Sequence, residues 1–295
     1  MSVRTTATPR RISFASQGLT LAADRWDPPG PSRGTVLLLH GGGQTRHSWD
    51  RSAADLAELG WTVYTNDLRG HGESDWDADG RYDIGTMADD ILLVAAEIAG
   101  GDPGRRPVLV GASMGGLASL LAVGKDPACC RALVLVDIAL RVEPEGSRRI
   151  RSFMQQKPEG FESLEEAAEA VAAYNPERTR PVRPEGLRKN LRQADDGRWH
   201  WHWDPLILRQ SHDSVDREHP IRVALREAAG RITVPTLLVR GLQSDVVSDA
   251  GIAGTRQLIP HAEIVEIPGA GHMVAGDDND VFSTRLESFL LESAA

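Results

Sequence analysis

Three polar residues of this chain stand just beyond apolar runs, and together they could perform acyl transfer. Ser113 follows Pro107-Val-Leu-Val-Gly111, Asp245 follows Thr236-Leu-Leu-Val-Arg-Gly241, and His272 follows Glu263-Ile-Val-Glu-Ile267. A serine hydroxyl attacks a carbonyl only when a base takes its proton, and a histidine oriented by a carboxylate is such a base. Ser113 lies in Gly111-Ala-Ser-Met-Gly115-Gly116, with the helix-compatible run Leu117–Val123 behind it. A strand that runs straight into a helix holds the serine in a sharp turn with its hydroxyl exposed, and the glycines let strand and helix approach. Taken alone, the pattern also fits a glycine-rich turn with an incidental serine. Its context gives it chemical meaning.

A tetrahedral oxyanion needs donors already in place, usually backbone N–H groups. Thr35-Val-Leu-Leu-Leu-His40-Gly-Gly-Gly43 ends an apolar strand in three glycines, which permit close backbone approach. The expected donors are Met114, the residue after the nucleophile, and Gly42, with Gly43 as second choice. A nucleotide-binding loop is the competing reading, but the chain has no Gly-x-Gly-x-x-Gly here and no Gly-Lys-Ser/Thr. Asp137, at the end of Leu133-Val-Leu-Val-Asp137, rivals Asp245 as the acid. Asp245 is preferred because Gly241-Leu-Gln-Ser-Asp245-Val is the commoner pattern, and Asp137 could anchor the segment that follows it. His40 is expected to order the glycine loop. His47 either touches substrate or caps the next helix.

The chain order Ser113, Asp245, His272 resembles that of the α/β-hydrolase family, and the resemblance covers nearly everything outside a middle insert. It includes Asn66-Asp67-Leu68-Arg69-Gly70-His71-Gly72-Glu73-Ser74, similar to the family's Asp-x-Arg-Gly-x-Gly-x-Ser turn. Asp67 and Arg69 are expected to pair and fix that turn, with His71 structural. Esterases, lactonases, epoxide hydrolases and cofactor-free haloperoxidases are the relatives it suggests. Epoxide hydrolases and haloalkane dehalogenases place an Asp at the elbow, so Ser113 argues against both. The elbow also departs from the Gly-Asp-Ser-Ala-Gly of hormone-sensitive-lipase relatives.

The elements follow from periodicity. Segments 11–15 and 19–23 alternate around Gln17-Gly18 as a hairpin. Strands are expected at 35–39, 62–67, 107–112, 132–138, 235–240 and 263–267, and helices at 48–59, 86–99, 114–124, 249–259 and 279–292. This βα alternation predicts an α/β fold with a doubly wound, mostly parallel, eight-stranded sheet, and the resemblance implies that it is the α/β-hydrolase fold. The core spans 1–139 and 229–295. Residues 140–228 break the alternation, with a helical stretch at 164–174, and sit where the family carries a mainly helical lid. Within them, Arg198-Trp-His-Trp-His-Trp203 puts Trp199, Trp201 and Trp203 on one face of an extended strand and His200 and His202 on the other. The tryptophans either pack the insert onto the core, line a pocket or meet a partner protein. The two histidines lack an evident third metal ligand.

Composition narrows the partners. With 295 residues and 41% hydrophobic content, one domain plus an insert has ample core. A net charge of −9 argues against nucleic acid or an anionic membrane as partner. No apolar run reaches the ~18 residues of a transmembrane helix. Residues 1–11 lack the apolar stretch of a secretory signal, and the adjacent Cys129 and Cys130 suit a reducing cytoplasm. A homodimer through an exposed helix or the insert stays open.

The expected function is hydrolysis of a carboxylic ester or lactone, small to medium and largely apolar, through an acyl-enzyme, without metal or organic cofactor. Three alternatives stand beside it: C–C hydrolysis of a β-diketone-type ring-cleavage product, cofactor-free perhydrolysis, and a ligand receptor on the same fold.

Overall fold

The computed structural model describes residues 8–140, 143–174, 182–209, 219–272 and 280–294. The chain begins with a hairpin, β1 (Arg10–Ser16) and β2 (Leu19–Trp26). There follow β3 (Thr35–Leu39), α1 (Asp50–Glu58), β4 (Thr62–Asn66), α2 (Ile84–Ala99), β5 (Val108–Ala112), α3 (Ser113–Lys125) and β6 (Ala132–Val136). After an insert come α6 (Pro220–Ala229), β9 (Thr236–Gly241), α7 (Asp249–Leu258), β10 (Glu263–Ile267) and α8 (Asp280–Ala294). The expected helix 48–59 starts instead as a 3-10 turn over Arg46–Trp49 before α1. α2 begins two residues earlier than expected, where the Asp83 side chain accepts the Thr86 N–H at 2.9 Å as an N-cap.

The eight strands form one sheet in the order β1-β2-β4-β3-β5-β6-β9-β10. β1 and β2 pair antiparallel, as do β2 and β4, and the other pairs are parallel. Every residue of β3, β4 and β6 is buried, as strands covered on both faces require. Alternate residues serve two apolar layers. Leu37, Leu39 and Leu135 meet α2 and α3, while Val36, Leu38 and Val134 share the opposite layer with Trp49, Trp61 and α8.

Register decides where chemistry can occur. Leu39 pairs with Gly111, Ala112 with Val136, and Val136 with Val239. The chain therefore leaves β3, β5, β6 and β9 along one edge of the sheet, the carboxyl edge where open α/β sheets bind ligands.

The insert contains α4 (Pro144–Met154), α5 (Leu164–Tyr174) and a small antiparallel pair, β7 (Leu191–Gln193) and β8 (Trp199–Trp201). It has its own apolar cluster of Phe161, Leu164, Ala167, Leu187 and Leu191. Backbone bonds dock it on the turn after β4: Gly72 N–H donates to His202 O at 2.7 Å and Asp204 N–H to Gly70 O at 2.8 Å. α6 falls almost wholly within the span 140–228, ending one residue beyond it, yet its Leu225, Ala228 and Ala229 join the main core beside α3. Among the described residues, no helix is long and apolar enough to cross a membrane.

Candidate active site

Ser113 is the first residue of α3 and has φ +47, left-handed for a non-glycine residue. Such strain persists only where the surroundings impose it, and it clusters at functional sites. Here a glycine permits the close packing around it. A Cβ on Gly115 would lie 2.5 Å from the His40 carbonyl oxygen, so the turn can pack onto the end of β3 only with glycine there. Gly41 lies on the other side, its own absent Cβ position 3.3 Å from the Ser113 Cβ.

The three glycine N–H groups after β3 are not equivalent. Gly41 N–H donates to Gln44 Oε1 at 3.0 Å, and Gly43 N–H donates to His71 Nε2 at 3.3 Å. Gly42 N–H has no acceptor among the described residues, and the Met114 side chain rests 3.7 Å from where a Gly42 Cβ would be. Gly43, the second choice from sequence, is thus committed to His71. The Met114 N–H lies in the first turn of α3, where helix N–H groups lack intrahelical partners.

Two buried histidines set this loop. His40 donates from Nδ1 to Gly41 O at 2.7 Å and accepts the Leu68 N–H at Nε2, 3.0 Å away. Burial, with nearby Arg46, lowers its pKa to about 4 despite the opposing bond to Gly41, so the ring is neutral at pH 7. His71 repeats the arrangement, donating from Nδ1 to Arg69 O at 3.1 Å, and its ring meets that of His40 edge-on at 5.0 Å. His47 lies elsewhere, its Nδ1 3.2 Å from Asp50 Oδ1 at the start of α1, and it is absent from the cavity wall.

The structure brings Asp137, rather than Asp245, to the histidine. His272 Nδ1–H donates to Asp137 Oδ2 at 2.7 Å. A carboxylate can only accept, so Nδ1 carries the proton and Nε2 keeps its lone pair. Asp137 follows β6 with φ +46, a conformation aspartate tolerates better than most residues. Gly241 N–H donates to its Oδ1 at 3.0 Å and the Ser244 hydroxyl to its Oδ2 at 2.5 Å. Asp245 turns toward the insert and pairs with Arg149 of α4 at 3.0 Å. Its neighbour Ser244 makes the bond to Asp137, a contact that sequence reasoning missed.

The turn after β4 also departs from expectation. Asp67 does not pair with Arg69. It accepts from Arg46 Nη1 at 2.5 Å and from the Arg46 and Glu73 N–H groups at 2.6 and 2.9 Å. Arg69, fully buried, holds both oxygens of Asp90 on α2 at 2.5 and 2.7 Å. The two side chains leave the start of the turn in different directions, Asp67 toward Arg46 and Arg69 toward Asp90.

Ser113, His272, Gly42 and Met114 line a cavity of about 280 Å³. Its far wall comes from the insert: Ile150, Phe153, Met154, Tyr174, Trp201 and Trp203. Phe153 stacks on Tyr174 at 4.3 Å and meets Trp201 edge-on at 5.6 Å. The tryptophans therefore divide: Trp201 and Trp203 face the cavity, while Trp199 packs in the insert with Arg188 over its ring at 4.8 Å. His200 sits 3.4 Å from Asp196. Among the described residues one group has metal-like spacing, Asp24, His47 and Asp50. Arg46 already neutralises Asp24 there, donating from Nε at 2.8 Å.

Residues 34–278 match the family model described as alpha/beta hydrolase fold. The chain belongs to the α/β-hydrolase family. It is 31% identical to esterase Rv0045c of Mycobacterium tuberculosis over 267 residues, 88% of this chain and 83% of that protein. The crystal structure of that esterase matches with a TM-score of 0.73 at 26% identity, covering 96% and 91% of the two chains. The chain is also 30% identical to 2-(acetamidomethylene)succinate hydrolase of Mesorhizobium japonicum over 214 residues, 72% of this chain and 73% of that one. A crystal structure of E-2-(acetamidomethylene)succinate hydrolase matches with a TM-score of 0.79 at 25% identity, covering 96% and 99%. Relatives named as esterases, lipases and hydrolases mark this α/β-hydrolase as an enzyme.

Proposed function

We propose that this α/β-hydrolase is a serine esterase or lactonase acting on small to medium, largely apolar substrates through an acyl-enzyme. The observation that carries the reading is that His272, its Nδ1–H bonded to buried Asp137, lines the same cavity as the strained Ser113. Asp137 fixes the tautomer, so His272 Nε2 takes the Ser113 proton as the hydroxyl attacks the carbonyl. The N–H groups of Gly42 and Met114 receive the oxyanion; Gly41 and Gly43 N–H are engaged elsewhere. The imidazolium returns its proton to the leaving alcohol, and a water activated by the same base releases the acid. Side chains and backbone supply every step.

The insert serves as a lid. Its aromatic wall closes the cavity over Ser113, excludes water and selects the acyl or alcohol group by size. The lid reading applies to the part of 140–228 before α6, since α6 packs with the core. Cys129 and Cys130, both free thiols, fit a cytoplasmic protein. That one relative is an esterase and another hydrolyses a small organic acid derivative supports the reading.

The test is hydrolysis of p-nitrophenyl esters of graded acyl length by the parent, Ser113→Ala and Asp137→Asn. Ser113→Ala should be inactive, and Asp137→Asn should lose roughly 10³–10⁴ in kcat. Turnover that survives Ser113→Ala would sink the acyl-enzyme mechanism.

A further inference from the structure

We propose that Ser244 is a positioning residue that holds the Asp137 carboxylate against His272. The inference rests on the acyl-transfer reading above and deepens it. Asp137 has two oxygens and three donors. Oδ1 takes the Gly241 N–H at 3.0 Å, and Oδ2 takes both the Ser244 hydroxyl at 2.5 Å and His272 Nδ1–H at 2.7 Å. The serine and the histidine thus share one oxygen, and the serine fixes where that oxygen sits.

The hydroxyl is itself held. A serine oxygen offers one hydrogen and two lone pairs. Val246 N–H and Val247 N–H each donate to Ser244 Oγ at 3.2 Å. With both lone pairs engaged, the hydrogen has one direction left, toward Asp137. Rigid backbone amides orient the hydroxyl, the hydroxyl orients the carboxylate, and the carboxylate orients the imidazole. This is how a supporting shell keeps a reactive constellation within its productive geometry.

The same loop binds the insert. Asp245 pairs with Arg149, Val246 O accepts the Glu143 N–H at 2.9 Å, and the Ser248 hydroxyl donates to Glu143 Oε1 at 2.5 Å. The loop after β9 therefore faces two ways: Ser244 toward the acid just past β6, Asp245 toward α4. In the commoner pattern this loop supplies the acid itself. Here it supplies the group that steers an acid borrowed from the neighbouring strand.

The test is a mutant cycle, with kcat normalised to sites titrated by a serine-directed phosphonate. Ser244→Ala should lower kcat about ten- to a hundredfold, the value of a hydrogen bond to a charged group, with KM within twofold. Ser244→Thr, which keeps the hydroxyl, should recover most of the loss. In the Asp137→Asn background Ser244→Ala should change kcat less than twofold, because an amide that cannot stabilise the imidazolium gains nothing from being held. Parent-like kcat in Ser244→Ala, or the same fold loss in both backgrounds, overturns the proposal. Should alanine cost the fold, Ser244→Cys carries the test, since a thiol is a weak donor; parent-like turnover in that variant overturns it equally. The function itself is judged separately by Ser113→Ala. Turnover lost there alongside a silent Ser244→Ala removes only the role of Ser244.

Discussion

Acidification should destabilise this fold through one buried histidine. His40 is fully buried, with Nδ1–H donating to Gly41 O and Nε2 accepting the Leu68 N–H. A second ring proton would aim a donor at a donor. Burial first, then Arg46, holds its folded pKa at about 4 against the ordinary 6.5, with the Gly41 bond opposing them. The unfolded chain takes up this proton near pH 6.5, the folded chain only near 4. Stability is complete above the upper value, falls as pH drops between the two, and stops falling below the lower one. Linkage puts the loss, relative to pH 7.5, at about 1.3 kcal/mol by pH 5.5 and about 2.5 kcal/mol by pH 4.5. Urea unfolding of the parent and of His40→Gln at these three pH values isolates the effect. The variant starts less stable but lacks the titrating ring, and carboxylates common to both cancel in the comparison. The parent should lose about 2.5 kcal/mol more than the variant across the range. Equal losses would refute the assignment of His40 as a buried neutral ring.

Two further outcomes separate the roles of the acidic residues. Asp245→Asn should keep kcat within twofold and cost at most about 1 kcal/mol, because its pair with Arg149 is part-exposed and such pairs contribute little; a loss of several hundredfold in an ester assay would return the acid's role to Asp245. Arg69→Gln should cost about 3–5 kcal/mol in chemical denaturation, since it leaves the buried Asp90 carboxylate without its counter-charge; a loss under about 1 kcal/mol would mean that the Ser16 and Gln17 bonds to Asp90 suffice.

Periodicity and turn chemistry made the sheet, the helices flanking it and the position of Ser113 legible, because those depend on neighbours in sequence. The glycine loop was legible as a class. Gly42 was already the first choice from sequence, but the bond that engages the Gly43 N–H, to His71 some thirty residues on, was not legible there. The pairing within Asp67-Leu-Arg69 failed for the same physical reason. Charge complementarity between close residues says nothing about side-chain direction where the chain turns at positive-φ glycines just beyond them, as it does at Gly70 and Gly72. The tryptophan alternation correctly put Trp199 and Trp201 on a strand, but it could not say which indole meets the cavity. The residues after Tyr174 and after His272 lie partly outside the described structure, so the expected start of the last helix at 279 falls outside it as well.

The meeting of His272 with Asp137 follows from packing more than from motif. β6 and β9 are neighbours with Val136 opposite Val239, so residues just beyond both strands compete for the same space. The histidine loop decides between them. A Cβ on Gly241 would lie 2.5 Å from the Gly271 carbonyl oxygen, so the segment preceding His272 crosses directly over the end of β9. Gln243 N–H ties it down by donating to Ala270 O at 2.9 Å. A loop folded that far over β9 delivers His272 to the end of β6, where Asp137, bent by its positive φ, presents Oδ2. The Gly241 N–H left free at that crossing then binds Oδ1 of the same carboxylate. One glycine thus both admits the His272 loop and helps hold the Asp137 carboxylate, and Asp245, past the crossing, is free to bind the insert.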